Sequence, residues 1–328
     1  MAKNIVEFKN VKTYFYTEDG IVKAVDDVSF KIKQGQTLGV VGESGCGKSV
    51  AAMSLLRLIP NPPGKIIDGE ILFDGINVLN VSEDDMRDIR GNAISVIFQE
   101  PMTSLNPVFS IGEQISEVLI LHQKMSKQEA RQRAVEMLKL VGIPRSEEIV
   151  DCHPHELSGG MRQRAMIAMA VACNPKLLIA DEPTTALDVT IQAQILDLMR
   201  SVKEKLNSSI MLITHDLGVI AEMADYVVVM YCGKVIEEAP VKELFANPLH
   251  PYTIGLLQSK PALHQDTQRL YSIPGQVPNP LNLPDDCHFS PRCERVCQQG
   301  KEAQPPLVPI SENHRVACWR YGRGNDNE

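Results

Sequence analysis

The chain lacks any apolar run long enough to cross a bilayer, because its longest, Ala165 to Cys173, has only the length of a buried helix. It also lacks a basic excess, since 33 Lys and Arg stand against 41 Asp and Glu, a formal net charge of −8. Nucleic-acid phosphates attract basic surfaces, so we expect no nucleic-acid partner. No basic segment followed by an apolar one opens the sequence, so no secretory leader is expected. Together these deficits favour a soluble protein of the cytosol.

The rest of the composition is that of an ordinary globular protein, with 44% hydrophobic and 23% charged residues. A chain of 328 residues is long enough for two domains. Twelve of the 21 prolines lie between Pro240 and Pro309, where helical periodicity is largely lost. We therefore expect one domain over residues 1–240 and a loop-rich C-terminal module over residues 241–328.

Hydrophobic periodicity within residues 1–240 predicts an α/β core. Alternating apolar and polar residues predict antiparallel strands at 5–11 and 25–32. Short apolar segments predict further strands at 37–41, 94–98, 177–180, 210–214 and 226–230. From residue 106 to residue 169 the spacing is helical, so we expect a helical subdomain, at about residues 100–168, to be inserted into this core.

A glycine-rich loop lies between the strand predicted at 37–41 and a helix predicted at 48–59. Its residues fit the pattern G-x4-G-K-S and are Gly42, Glu43, Ser44, Gly45, Cys46, Gly47, Lys48 and Ser49. Glycines let backbone N–H groups approach phosphate oxygens, and the following helix contributes its positive end. We expect Lys48 to reach the β- and γ-phosphates of a nucleoside triphosphate, and the Ser49 hydroxyl to ligate Mg²⁺.

An acidic pair, Asp181 and Glu182, follows the strand predicted at 177–180. A carboxylate in that place, downstream of a phosphate loop, can hold Mg²⁺ directly or through water, which is the role expected for Asp181. Glu182 is placed to accept a proton from the attacking water. An isolated Asp-Glu pair would be a solvated turn, so the catalytic interpretation depends on the phosphate loop upstream.

A second candidate anion site is formed by Ser158, Gly159 and Gly160, which open a predicted helix with Ser158 as its N-cap. Its hydroxyl and N–H groups suit phosphate, although the chain already has a phosphate loop. We expect this second site to face the γ-phosphate of ATP bound to another subunit, so that the ATP site closes between two subunits. The alternative is an ordinary capped helix start.

Two single residues gain meaning only beside these motifs. Gln99 follows the segment predicted as a strand at 94–98, where its amide can contact Mg²⁺ or the attacking water. His215 follows the strand predicted at 210–214, where it can hydrogen-bond the γ-phosphate and orient Glu182. Alone, each would be interpreted as an ordinary loop residue.

In their order along roughly residues 1–240, these motifs resemble those of the nucleotide-binding subunits of ABC transporters. The Walker A, Q-loop, signature, Walker B, D-loop and H-loop motifs correspond to residues 42–49, Gln99, 157–163, 177–182, Ala186-Leu187-Asp188 and His215. The resemblance implies a RecA-like P-loop ATPase core with an antiparallel β subdomain and an inserted helical subdomain, and it adds Asp188 to the nucleotide site. It also implies that an aromatic ring of the first strands stacks on adenine. Tyr14, Phe15 and Tyr16 compete for this role, and strand spacing favours Phe15.

Two further segments, residues 97–107 and 247–253, resemble the ATPases of dipeptide, oligopeptide and nickel importers, and most of all the D-type subunit of dipeptide importers. The resemblance implies an ATPase that energises import of di- and oligopeptides from the cytoplasmic face of the membrane. The implied partners are a second ATPase subunit, either a copy or a paralogue, two membrane permeases and an extracytoplasmic peptide-binding protein. Import of nickel or another small solute, and a non-transport ABC ATPase, remain as alternatives.

Half of the eight cysteines lie near the end of the chain, at Cys287, Cys293, Cys297 and Cys318. In a cytosolic protein such a group favours a metal site over disulfides. The intervals C-x5-C-x3-C-x20-C are wider than those of common zinc sites, and they suit a larger inorganic core. We therefore expect a [4Fe–4S] cluster, with Zn²⁺ as the second option and free or disulfide-bonded thiols as the third. Its role can be structural or that of a redox sensor.

Overall fold

The computed structural model describes residues 3–185, 187–259 and 271–321, except the side chains of residues 101 and 102. Ala186 of the predicted D-loop and the outer ends of the two predicted domains therefore lie outside the described residues. The chain divides into two units, each built from separate stretches. The first contains the described residues of Met1–Ile5, Ile32–Thr37 and Asp74–Ile213, and the second those of Val6–Lys31, Leu38–Phe73 and Thr214–Glu328.

Strands and helices are interspersed along the chain, with five consecutive α-helices between the strands Ile94–Ile97 and Leu177–Asp181. The strands are β1 (Asn4–Thr17), β2 (Gly20–Lys33), β3 (Thr37–Val41), β4 (Gly64–Phe73), β5 (Ile76–Asn77), β6 (Ile94–Ile97), β7 (Leu177–Asp181), β8 (Ser209–Thr214), β9 (Tyr226–Tyr231), β10 (Lys234–Pro240), β11 (Val308–Pro309) and β12 (Arg315–Val316). The helices are α1 (Lys48–Leu55), α2 (Glu83–Ile89), α3 (Pro101–Ser104), α4 (Ile111–Gln123), α5 (Lys127–Leu140), α6 (Ser146–Ile149), α7 (Gly159–Val171), α8 (Val189–Leu206), α9 (Leu217–Met223), α10 (Val241–Ala246) and α11 (Pro251–Gln258). Among the described residues, no helix is both long enough and apolar enough to span a membrane.

In the first unit, β6, β7 and β8 are neighbouring parallel strands. Their short apolar runs are almost entirely buried, which is typical of a parallel sheet covered on both faces. Ile97 is paired with Ala180, and Asp181 with Ile213, so the three strands end at one edge of the sheet. Ligand-binding residues collect at this edge in α/β proteins.

The helical stretch of sequence corresponds to α4, α5, α6 and α7 in the same unit. Ser110 opens α4 and Ser126 opens α5, each in a capping box with a glutamate three residues later. Ile115 and Leu119 of α4 and Leu138 of α5 are fully or almost fully buried. The apolar residues at helical spacing in α4 and α5 therefore lie on the buried faces of these helices.

In the second unit, β2, β1 and β4 form an antiparallel sheet in that order. The first two strands are longer than their alternating segments suggest, and the two-residue turn Glu18-Asp19 connects them. A second group of strands places β3 parallel to β9, and β9 antiparallel to β10. Helix α1 follows β3 but ends at Leu55 rather than at residue 59, because Arg57 has a left-handed φ of 52°.

The chain after β10 is loop-rich but tied to the sheet of its own unit. Glu237 of β10 is paired with Val316 of β12, and β11 extends this edge. The Glu237 carboxylate is completely buried and accepts hydrogen bonds from the backbone N–H groups of Leu249 (2.7 Å) and His250 (2.9 Å). Its Oε1 also lies 2.8 Å from Nε2 of His314. A buried carboxylate therefore joins three segments of the C-terminal region.

Candidate nucleotide site

The glycine-rich loop follows β3 and opens α1, the strand–loop–helix context that a phosphate loop requires. Gly47 has a φ of +100°, and a Cβ atom there would lie 2.0 Å from the carbonyl oxygen of Ala24. A Cβ atom on Gly42 would lie 2.2 Å from the carbonyl oxygen of Met230. Only glycine fits at either position, so the backbone is held in a tight cradle.

The Lys48 side chain lies inside this cradle and is buried. Its Nζ donates to the carbonyl oxygens of Gly42 (2.8 Å) and Glu43 (3.0 Å). Ser49, the second residue of α1, is exposed. The lysine thus lies within the loop and the serine at the start of the helix, the places expected for residues that bind phosphate and Mg²⁺.

The aligned ends of β6 and β7 bring Gln99 and Glu182 together. Nε2 of Gln99 donates to Oε2 of Glu182 at 3.1 Å. The same oxygen accepts a hydrogen bond from the Thr185 hydroxyl at 2.9 Å. The sequence predicted that Gln99 lies near Mg²⁺ or the attacking water, but it did not predict the contact of Thr185. A threonine three residues after a loop carboxylate is a local signal for a hydroxyl–carboxylate hydrogen bond of this kind.

The backbone holds Glu182 in an uncommon conformation. Its φ is 48°, in the left-handed region that side-chain-bearing residues rarely adopt. Its N–H group donates to the carbonyl oxygen of Ile213 on the neighbouring strand at 2.8 Å. Asp181, the last residue of β7, is half-buried beside it. Backbone and side chain of Glu182 are therefore both oriented by partners, which is typical of functional positions.

The signature segment forms an exposed helix start. The Ser158 hydroxyl accepts from the N–H of Met161 at 3.4 Å, which confirms that it is the N-cap of α7. Ser158 and Gly159 are exposed, and an added Cβ on Gly159 would meet no described atom within 4 Å. On Gly160 a Cβ would only touch Ile191, 3.5 Å away. The N-terminal end of α7 is therefore exposed and uncrowded by other described atoms.

A contact that sequence reasoning missed joins α7 to the acidic strand end. The Gln163 side chain is buried and donates through Nε2 to the carbonyl oxygen of Pro183 at 2.6 Å. The loop after Pro183 leads to Asp188, whose Oδ1 accepts from the N–H of Ile191 and caps α8 at 2.9 Å. Asp188 therefore has a structural role here, beside the nucleotide role that the resemblance implies.

His215 and the candidate adenine-stacking residues lie in the second unit, with the phosphate loop. His215 is exposed and directly follows β8. The Tyr14 hydroxyl donates to Oδ1 of Asp26 at 2.6 Å, and burial raises its pKa. Phe15 is half-buried, whereas Tyr16 is 48% exposed. The Phe15 ring lies close to Gly64, since a Cβ atom added to that glycine would be 2.8 Å from Cε1 of Phe15. The choice of Phe15 stays a prediction.

The prediction of an iron–sulfur cluster in the C-terminal module is wrong. Within residues 3–185, 187–259 and 271–321, no group of three or more His, Cys, Asp or Glu side chains is arranged to hold a metal ion. The same finding removes support for Zn²⁺. The thiols of Cys287, Cys293, Cys297 and Cys318 are free and line a cavity of about 30 Å³. Burial raises the pKa of Cys287 to about 11 and also raises those of Cys293 and Cys318.

Comparison with known proteins assigns the chain to a protein family. Residues 25–185 match the family model described as ABC transporter, and residues 236–299 match that of the oligopeptide/dipeptide transporter C-terminal region. The chain is 54% identical over 317 residues to the oligopeptide transport ATP-binding protein AppD of Bacillus subtilis, covering 97% of each chain. The chain belongs to the oligopeptide/dipeptide ABC transporter ATPases. Like other members of that family, it hydrolyses ATP to ADP and phosphate.

Other relatives agree with this assignment. The dipeptide transport ATP-binding protein DppD of Lactococcus lactis is 49% identical over 318 residues, which is 97% of this chain and 91% of the relative. The solved dimeric structure of the ATP-binding cassette MJ0796, in a post-hydrolysis state with ADP and Pi, is 30% identical, with a TM-score of 0.64. The similarity covers 72% of this chain and 98% of the MJ0796 chain. The predicted ABC ATPase fold is therefore confirmed.

Proposed function

We propose that this ABC transporter ATPase powers import of di- and oligopeptides through separate membrane subunits. The observation that carries the proposal is the match of residues 236–299 to the oligopeptide/dipeptide transporter C-terminal region. Relatives that resemble the chain over nearly its whole length are named for oligopeptide and dipeptide transport, which supports the same cargo class. The alternative cargo is nickel or another small solute, and the uptake test below distinguishes nickel from peptides.

The phosphate loop holds the triphosphate of ATP in this proposal. Lys48 Nζ lies within the loop, where it donates to the carbonyl oxygens of Gly42 and Glu43, and we propose that it also donates to phosphate oxygens there. Residues Ser49, Gln99 and Asp181 would hold Mg²⁺, which supplies neutralisation of phosphate charge when bound. The adenine ring stacks on an aromatic residue of β1, with Phe15 preferred to Tyr14.

Glu182 is the proposed acceptor of the proton from the attacking water. Its Oε2 accepts hydrogen bonds from Gln99 and Thr185, which hold the carboxylate in one orientation for this role. His215 is proposed to hydrogen-bond the γ-phosphate and keep this geometry. Fixing a base in place before the reaction lowers the barrier, because no reorientation is needed in the transition state.

A second ATPase subunit, either a copy or a paralogue, completes each site. Ser158, Gly159 and Gly160 form a helix N-terminus in which Ser158 and Gly159 are exposed, and its N–H groups and helix dipole attract an anion. We propose that they contact the γ-phosphate on the partner in a head-to-tail dimer. The similar MJ0796 cassette is a dimer in its solved structure, which supports this arrangement.

Membrane permeases are proposed to dock on the helical part of the first unit, at the cytoplasmic face of the membrane. Val108 and Phe109, just before α4, are 73% and 49% exposed. A neighbouring cavity of about 550 Å³ is lined in part by Ile120, Leu121 and Val150. Exposed apolar side chains beside a groove suit a short helix from a partner protein.

The test is cargo-dependent uptake. Cells that contain the chain with its permeases and extracytoplasmic binding protein are given a labelled dipeptide, a labelled tetrapeptide or ⁶³Ni²⁺, with Glu182→Gln as the inactive control. Peptide uptake that disappears in the control supports the proposal. Uptake of nickel but of neither peptide contradicts peptide import. Uptake of none of the three solutes, in cells whose purified complex hydrolyses ATP, also contradicts it.

A further inference from the structure

The phosphate loop contains an acid, Glu43, as its second residue. A carboxylate in a loop that binds a polyphosphate opposes binding, because like charges several ångströms apart repel appreciably where solvent screening is incomplete. The Glu43 side chain is only 29% exposed, so water does not fully screen it. The loop therefore needs a cation near this carboxylate.

Arg292, from the C-terminal region, is that cation. Its Nη1 lies 2.7 Å from Oε2 of Glu43, and its Nη2 lies 3.1 Å from Oε1. This is the two-pronged geometry in which guanidinium and carboxylate bind most strongly. The Arg292 side chain is 4% exposed, and its Nε donates to the carbonyl oxygen of Pro274 at 3.0 Å. The guanidinium is thus held between Glu43 and the backbone of the C-terminal region.

The backbone of Glu43 is held by the same region. Its N–H group donates to the hydroxyl oxygen of Tyr252, in α11, at 2.7 Å. The Tyr252 ring is fully buried and lies against the rings of Tyr231 and Phe289, with centroids 4.7 and 5.6 Å away. Both the side chain and the main chain of Glu43 therefore depend on residues more than 200 positions further along the chain.

We propose that Arg292 is a positioning residue for nucleotide binding, which neutralises Glu43 and so lets the C-terminal region set the affinity of the phosphate loop for ATP. It acts through Glu43 and does not itself contact ATP. The inference rests on ATP binding by the loop. If the Glu43–Arg292 pair only fastened the C-terminal region, its loss would lower stability, and the charge at Glu43 would not affect the affinity for ATP.

Charge substitutions at Arg292 and Glu43 distinguish a role in ATP affinity from a role in fastening the C-terminal region, because only the first predicts opposite effects of the two substitutions on ATP binding. Arg292→Gln leaves an unpaired carboxylate in the loop, and we expect ATP binding to weaken on the order of tenfold. Glu43→Gln removes that carboxylate, so the double variant should bind ATP within about threefold of wild type. Glu43→Gln alone leaves one extra positive charge, so it should bind at least as tightly as wild type and with a steeper salt dependence.

The experiment is titration of the full chain with ATP and Mg²⁺ by calorimetry at low and high salt, in a Glu182→Gln background that prevents turnover. Arg295→Gln is the matched control, because it removes one cation from an exposed position three residues away. Thermal unfolding of every variant is measured in parallel. A double variant as weak as Arg292→Gln, or normal binding by Arg292→Gln, overturns the proposal.

If Arg292→Gln does not fold, Arg292→Lys and Glu43→Gln still test the proposal. Arg292→Lys keeps the cation without the two-pronged geometry, so ATP affinity should stay near wild type even where the unfolding temperature falls. Weaker binding by Glu43→Gln than by wild type overturns the electrostatic role. Failure of the unmodified chain to bind ATP would instead contradict the ATPase function on which the inference depends.

Discussion

The buried carboxylate of Glu237 offers the sharpest test of what holds the C-terminal region in place. It is 0% exposed and accepts hydrogen bonds from the N–H groups of Leu249 and His250, with His314 Nε2 2.8 Å away. Hydrogen bonds to a charged group contribute about 1.5–3 kcal/mol each, and a buried donor left without a partner costs about 1–3 kcal/mol. Glu237→Ala removes the acceptor for all three donors at once.

We expect Glu237→Ala to destabilise the C-terminal region by at least about 3 kcal/mol, because three buried donors lose their acceptor at a cost of about 1–3 kcal/mol each. Glu237→Gln keeps one oxygen acceptor but places an amide NH₂ against a donor, so its cost should be about 2–3 kcal/mol. Glu294→Gln, on the exposed surface, is the matched control and should change stability by less than about 0.5 kcal/mol.

The assay is hydrogen exchange of the Leu249 and His250 amides, together with urea unfolding of the full chain. Exchange reports local opening of this region even where the rest of the protein remains folded. A loss of less than about 1 kcal/mol in Glu237→Ala, with protection of both amides retained, would refute the argument that this carboxylate joins the three segments.

Three further outcomes are expected. Glu182→Gln should retain ATP binding, stabilise the closed dimer and lose phosphate release by about 100-fold or more, and wild-type turnover would contradict its role as the base. Thr185→Val removes one hydrogen bond to Glu182 Oε2, worth about 1 kcal/mol, and should lower kcat about fivefold, with Thr185→Ser as the control that restores it. Burial lowers the pKa of His250 to about 3, so only the unfolded chain gains a proton there as pH falls below about 6.5. Stability should therefore drop by up to about 1.4 kcal/mol per pH unit between those values, and His250→Asn, which keeps an N-cap acceptor for Tyr252 N–H, should flatten that slope in urea unfolding. An unchanged slope would contradict the neutral state of buried His250.

The nucleotide motifs were accessible to sequence reasoning because each is local. Gly42 to Ser49 form one loop, whose glycines, lysine and serine act within eight consecutive residues. Ser158 caps the helix that it immediately precedes, and the burial of β7 follows from its unbroken apolar run. Short-range geometry decides such features, so residue order alone is enough to predict them.

The cysteine prediction shows where spacing stops being informative. Four thiols with suitable intervals do line one cavity, yet they form no group able to hold a metal ion among the described residues. Intervals along a loop-rich segment do not determine the direction of each side chain or its burial. Those two properties decide whether a thiol ionises and whether its sulfur points at a common centre.

By itself, the sequence determined the family and the ATPase chemistry, because the motifs that indicate them are each short contiguous segments. Only the tertiary structure showed that Thr185 and Gln99 share one oxygen of Glu182, since that contact requires β6 and β7 to end in register. It alone paired Glu43 with Arg292, 249 positions away. Contacts over such distances depend on how the whole chain packs, which the order of residues does not reveal locally.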